Sequence, residues 1–345
     1  MKPLSDLVRP NILRLRPYSS ARHEFKGAAE VYLDANENPY DTGYNRYPDP
    51  LQLAVKQALG RLKGVAPANI FLGNGSDEAI DLLLRIFCEP GRDAILTLPP
   101  TYGMYRVSAD INNVEVREVP LTADFQPDVA AVQAATDERT KLLFLCSPNN
   151  PSGNSLDPAA MRVLCAGFPG IVVVDEAYID FAEQESAVRW LEEFPNLVVL
   201  QTFSKAWGLA GARLGIALAS PEIIALFNKV KPPYNVNQLS QQVALDALQD
   251  RSRKEDWVTE LLRERARLRQ ELTALPGVQE IYPSDANFLL VRFLDPVAVY
   301  SHLVTQKIVV RDRSKVLRCQ GCLRLTVGTP TENERLLNGL RSFSA

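Results

Sequence analysis

The sequence predicts an α/β fold: a large domain with a mostly parallel mixed sheet between helices, followed by a smaller α+β C-terminal domain. Three observations carry this expectation. Short apolar runs at 95–98, 114–119, 142–146, 171–175 and 197–202 are bounded by turn residues, as strands buried on both faces are. Helical segments separate most of these runs, the alternation of a parallel sheet covered by helices. The chain has 345 residues, more than one core usually supports, and its composition turns charged around 249–256, which suits a domain boundary.

Taken in order, residues 1–35 read as an extended arm, because Pro3, Pro10 and Pro17 break any long helix. The stretch NENPYDTGYNRYPDP (36–50) is too rich in Pro and Tyr for a regular element and reads as an ordered loop. The large domain is expected over 36–250, with helical periodicity at 51–63 and 76–87 ahead of and between its strands. The small domain is expected over 251–345. It holds a long helix over roughly 253–274, strands at 286–293, 308–311 and 323–327, a helix at 296–306 and a last helix from about 331.

Composition excludes several function classes. Hydrophobic residues make up 46% and charged residues 23% of the chain, ordinary values for a soluble globular protein. A net charge of -3 gives no reason to expect nucleic acid or a membrane surface as partner. No apolar stretch approaches the roughly 20 residues that a bilayer requires, and MKPLSDLVRPNILRLRPYSS has no apolar core like that of a signal peptide. Five cysteines are an odd count with no disulfide framework, which suits a reducing cytoplasm. Cys319 and Cys322 form a lone C-x-x-C, short of the four ligands zinc takes, so no metal site is expected.

The chemistry-bearing residues sit where predicted strands end. In TFSKAWGLAGARLG (202–215), Lys205 follows a buried strand and precedes a Gly-rich turn. Partial burial and nearby cations lower a lysine's pKa and make its amine a nucleophile toward a carbonyl. Thr202, Ser204 and Arg213 offer hydroxyls and a guanidinium, the donors a phosphate needs. In IVVVDEAYIDF (171–181), Asp175 ends a buried strand and can hold a pyridine nitrogen protonated, with Tyr178 near enough to reach a phenolic oxygen. Asn150 in CSPNNPSG (146–153) can donate to the same oxygen. Gly75, Ser76 and Asp77 open a helix after a glycine turn, a place where free N–H groups receive an anion. The third glycine of a dinucleotide fingerprint is missing there, which disfavours a nicotinamide dehydrogenase. Tyr102 in LPPTYGMY (98–105) can stack on a flat heterocycle. Each feature alone has an ordinary structural explanation; their convergence in one domain does not.

These motifs, together with LDANENPY (33–40), RYPDP (46–50), RDRS (311–314) and CLRLTVGTP (322–330), resemble the fold-type I pyridoxal-phosphate aminotransferases over essentially the whole chain. Within that group the sequence looks like the histidinol-phosphate aminotransferases. The resemblance implies a catalytic set of Lys205, Asp175 and Tyr178, with Lys205 carrying pyridoxal 5'-phosphate as an imine. It implies further that Asp175 pairs with the pyridine nitrogen, that Asn150 and Tyr178 meet the phenolic oxygen and that Tyr102 stacks on the ring. Gly75, Ser76, Asp77, Thr202, Ser204 and Arg213 are implied to surround the phosphate. Tyr47 is implied to reach the cofactor of a neighbouring subunit in a homodimer, and Tyr18, Asn36, Arg311 and Arg324 to line the substrate site.

The reaction implied exchanges the amino group between L-histidinol phosphate and 2-oxoglutarate, giving glutamate. Guanidinium groups suit both the phosphate of one substrate and the carboxylates of the other. An aromatic or broad-range aminotransferase shares every cofactor residue, and a decarboxylase acting on a phosphorylated amino acid is a further reading. Two departures from the family pattern, Ser152 where threonine is frequent and Asp41 where glycine is commoner, leave the chemistry untouched.

Overall fold

The computed structural model describes residues 3–18 and 30–343. Seven strands form the larger sheet: β1 (Ile70–Asn74), β2 (Ala94–Thr97), β3 (Glu115–Glu118), β4 (Thr140–Cys146), β5 (Ile171–Asp175), β6 (Leu197–Thr202) and β7 (Leu214–Ala219). Their spatial order is β1-β7-β6-β5-β4-β2-β3. Neighbours from β3 through β6 are parallel, while β7 runs antiparallel to both β6 and β1. The sheet is therefore mixed but mostly parallel, as the sequence predicts.

Alternation along each strand explains why both faces are covered. Phe71, Phe144, Val173 and Leu200 point to one face, where helices Gly75–Phe87 and Pro221–Val230 pack. Leu72, Leu145, Val174 and Val199 point to the other, against helices Leu53–Lys63, Pro158–Gly167 and Gln238–Gln249. A period of two with both sets apolar is what a doubly covered sheet demands. Side-chain caps from Asp128, Asp157, Ser220 and Asn237 satisfy helix N-termini.

The second sheet is antiparallel, in the order β10-β11-β9-β8: β8 (Val278–Ile281), β9 (Phe288–Phe293), β10 (Arg311–Asp312) and β11 (Cys322–Thr326). Helices Arg251–Thr273, Pro296–Thr305 and Pro330–Arg341 share its core through Leu268, Leu303 and Leu337. Among the described residues no helix is long and apolar enough to cross a membrane.

Three strands escaped the sequence reading. β1 is split in meaning, because its last residues are also the glycine turn. β7 (LGIALA) is half Gly and Ala, which have little strand preference, and β8 is a half-polar edge strand. The expected strand at 308–311 is confined to Arg311–Asp312. The N-terminal segment departs from an extended arm: Leu4–Leu7 and Pro10–Arg14 are short helices. Pro10 stands at a first helical turn, where its missing N–H costs nothing. Leu7, Val8 and Ile12 are buried, and Arg9 pairs with Glu89 at 3.1 Å. The 36–50 stretch is a loop, held by Glu37, whose carboxylate accepts from Tyr47 N (2.7 Å) and pairs with Arg46 (2.8 Å).

Candidate active site

Every parallel strand of the large sheet, from β2 through β6, and β1 beside them, ends at one edge, and β7 begins there. The crevice beyond the carboxyl ends of such strands is where α/β folds bind ligands. A cavity of about 430 Å³ opens at that edge. It is lined by Gly75, Ser76 and Asp77 after β1, Tyr102 after β2, Cys146 and Asn150 at the end of β4, and Asp175, Ala177 and Tyr178 at the end of β5. Thr202, Ser204 and Lys205 follow β6, Arg213 precedes β7, and Arg311, Arg313 and Arg324 arrive from the small sheet.

Asp175 is buried, and Tyr105 donates to its Oδ2 at 2.7 Å while Ala177 N donates to Oδ1 at 3.1 Å. Burial raises its pKa to about 6, and these two hydrogen bonds oppose the rise. A carboxylate kept from water and aimed into a cavity is suited to hold a cationic partner. Part of the Lys205 side chain faces solvent at the cleft mouth. Its amine is nevertheless held below a lysine's usual pKa, first by loss of hydration and then by Arg324, with Asp175 opposing. The Lys205 Nζ lies 5.5 Å from the centre of the Tyr178 ring. Burial pushes the Tyr178 phenol up to about 12, with Arg324 pulling the other way.

At the far side, helix Gly75–Phe87 points its N-terminus into the cavity. Gly75 has φ +72°, and a Cβ there would come within 2.7 Å of Arg213 Nη2. Arg213 itself holds φ +52° and lies 3.7 Å from Asp77. Tyr102 donates to Asp77 Oδ1 at 3.0 Å. Free helix amides, the hydroxyls of Thr202 and Ser204, and a guanidinium together form a cradle fitted to a phosphate. Gly75→Ala should weaken affinity for the phosphorylated cofactor that the resemblance implies about 10-fold, through the left-handed backbone penalty and displacement of Arg213. Titrating the cofactor-free protein with pyridoxal phosphate checks this; unchanged affinity would show that the turn is no cradle.

Arg324 Nη1 donates to Asn150 Oδ1 at 2.5 Å, and its guanidinium lies 5.1 Å from the centre of the Phe288 ring. This contact ties the small sheet to the cleft at the edge of the large sheet. Further ties run from Asp285 N to Gly153 O (2.7 Å) and from Ser155 N to Asp285 Oδ2 (3.0 Å).

Three expected site residues lie elsewhere in this chain. Tyr18 is exposed. Asn36 and Tyr47 line a second cavity with Tyr234 and Asn237, and the Tyr47 and Tyr234 rings stack at 4.4 Å. Sequence reading missed Tyr105 and Arg313. The spacing held signals for both: Tyr105 stands three residues after Tyr102, and Arg313 is two residues from Arg311, on the same strand face.

Comparison with known proteins follows the same line. The model of aminotransferase class I and II matches residues 22–340. A protein of Parabacteroides distasonis named histidinol-phosphate aminotransferase is 58% identical over 343 residues, covering 99% of each chain. One of the same name from Cytophaga hutchinsonii is 55% identical, again over 99% of each chain. Among solved structures, the histidinol-phosphate aminotransferase of Sinorhizobium meliloti, in complex with pyridoxal-5'-phosphate, superimposes with a TM-score of 0.79 at 26% identity, over 86% of this chain and 82% of that one. A decarboxylase from Sulfurospirillum multivorans reaches 0.74 at 27% identity, over 86% of this chain and 79% of that one. A lysine of lowered pKa, a buried carboxylate and a helix N-terminus beside an arginine at one sheet edge thus accompany full-length similarity, and the chain belongs to the aminotransferase class I and II family.

Proposed function

We propose that this chain is a histidinol-phosphate aminotransferase that uses pyridoxal 5'-phosphate and passes the amino group of L-histidinol phosphate to 2-oxoglutarate. The observation that carries the reading is the pairing, in one cleft, of the Lys205–Asp175 centre with three arginines from the small sheet. The full-length relatives carry that name.

The residues present fit the cofactor. Gly75, Ser76, Asp77, Thr202, Ser204 and Arg213 would hold its phosphate, Asn150 and Tyr178 its phenolic oxygen, Tyr102 its ring face and Asp175 its ring nitrogen. When bound, the cofactor supplies an electron sink for the carbon that loses or gains the amino group. Asp175 would keep the ring nitrogen protonated, and Tyr105 and Ala177 N fix the carboxylate that would do so. Lys205 would bond the cofactor through Nζ, and its free amine would take the proton from the substrate carbon and deliver it to the cofactor carbon that receives the amino group. Its lowered pKa leaves more of it unprotonated near neutrality, as that role needs. Arg311 and Arg324 receive the anionic end of either substrate.

Tyr47 acts in a neighbouring subunit's cleft in this reading, so the enzyme works as a homodimer. Val31, Leu33, Tyr40 and Tyr44 are exposed large side chains in the same segment, an apolar surface that a second copy would cover. The cytoplasm is the proposed location, since all five cysteines are free and buried.

Purified protein should form glutamate from L-histidinol phosphate and 2-oxoglutarate at a kcat/KM above that for phenylalanine, and should sediment as a dimer. Preference for phenylalanine would replace this reading by the broad-range one. Release of carbon dioxide from a phosphorylated amino acid would replace it by the decarboxylase.

A further inference from the structure

We propose that Arg313 reads the phosphate of the substrate: it is a third guanidinium that makes the cleft prefer an amino donor with a phosphate dianion over the same donor without one. The inference rests on the amino-transfer reading above and goes beyond the Arg311–Arg324 pair.

Strand register places the three side chains. Arg311 stands directly opposite Arg324 in the β10–β11 pair. Directly opposed residues share a face, and like charges there repel. Arg313 N bonds to Cys322 O at 2.9 Å, which carries the pairing past the end of β10. Alternation then sets Arg313 on the Arg311 face and Asp312 on the other. Asp312 is engaged by Ser314, through N at 2.8 Å and Oγ at 2.6 Å, and does not line the cavity. The acid between the two arginines therefore does not neutralise the face they share.

Such a face carries free-energy costs with no internal return. Among the described residues, none of the three arginines forms a salt bridge. Arg313 and Arg324 each bury an Nε that has no acceptor, an arrangement native proteins keep for a reason. At the opposite side of the cleft Arg213 has Asp77, and the charge of Asp175 acts on Lys205 without direct contact. The uncompensated positive charge lies at the small-sheet end.

A carboxylate brings one charge and two oxygens, and Arg324 alone can meet it bidentately. Arg324 is already oriented by Asn150 and Phe288. A phosphate monoester brings close to two charges and three terminal oxygens, so it has acceptors left for another fork. Arg311 and Arg313 make no side-chain hydrogen bond among the described residues, and of the two it is Arg313 that is partly buried with an Nε lacking an acceptor, placed to supply that fork. Glutamate and 2-oxoglutarate use the site without needing Arg313; the phosphorylated donor needs it.

The test compares L-histidinol phosphate with L-histidinol as amino donors, in single turnovers of the cofactor-loaded enzyme followed by absorbance. The quantity read is the ratio of their kcat/KM values. Arg313→Gln should lower that ratio about 30-fold, the loss of a charge-assisted contact to the phosphate. Arg313→Lys, which keeps the charge without the fork, should lower it about 5-fold. A merely structural role would lower both donors together and leave the ratio unmoved. A ratio within 3-fold of wild type in both variants overturns the inference. A wild-type ratio near one would instead overturn the substrate reading itself, and the inference with it.

Discussion

Replacing Lys205 by alanine should lower turnover by about 10⁴-fold or more, because in the proposed mechanism one amine would both bond the cofactor and move the proton at the substrate carbon. The folded chain should hardly notice. Among the described residues, Lys205 takes part in no side-chain hydrogen bond or salt bridge, and it faces the cleft mouth beside like charges from Arg324 and Arg213. Its removal should shift stability by no more than about 0.5 kcal/mol. Lys205→Arg separates charge from chemistry: it keeps the cation but cannot give up its proton, so it should be as inactive as alanine. Single-turnover kinetics and thermal melts check both variants. A near wild-type rate in either would remove Lys205 from the centre of the mechanism.

Asp175→Asn should have opposite effects on stability and on function. In the cofactor-free chain the carboxylate is buried with a pKa of about 6, above its value in an unfolded chain. The folded state therefore holds the proton more tightly than the unfolded state does. Stability contributed by this group is full below about pH 4, falls as pH rises to about 6, and stays low above that. Asparagine removes the charge, so the cofactor-free variant should match wild type at low pH and exceed it above about pH 6, by at most about 3 kcal/mol. The loaded enzyme should behave in reverse. Without a carboxylate against the ring nitrogen, turnover should fall about 10³-fold, the scale of losing one preorganised electrostatic partner, and the cofactor should bind more weakly. Melting curves of the cofactor-free protein across pH, with cofactor titrations of both proteins, measure the two halves. A variant less stable at pH 8 and equally active would contradict the assignment.

Much of this site is legible in the sequence because parallel strands impose it. A buried strand must end in a loop at the carboxyl edge, so Asp175, Asn150, Thr202 and Lys205 reach one crevice once their strands are recognised. The glycine turn before Ser76 is legible because a left-handed backbone at Gly75 has few other solutions. Other parts depend on distant packing. β7 is a Gly- and Ala-rich strand whose identity comes from lying between β1 and β6. Gly215 explains part of that composition: a Cβ there would meet Ser76 N at 2.1 Å. Tyr105 is chosen by Asp175, seventy residues away in the chain. Arg313 gains meaning only when β10 pairs with β11 and Asp312 turns outward. The N-terminal helices are fixed by the groove that buries Leu7 and Ile12 rather than by their own short sequences.

The central claim, that one cleft built on Lys205 and Asp175 carries an amino group from a phosphorylated donor to a keto acid, is tested most directly by absorption spectroscopy of the purified, cofactor-loaded protein. Adding L-histidinol phosphate alone should abolish the bound cofactor's band near the visible edge, and 2-oxoglutarate added afterwards should restore it. A band that ignores L-histidinol phosphate yet responds to phenylalanine or glutamate would contradict the account of the substrate, and a protein that binds no pyridoxal phosphate would contradict the account of the site.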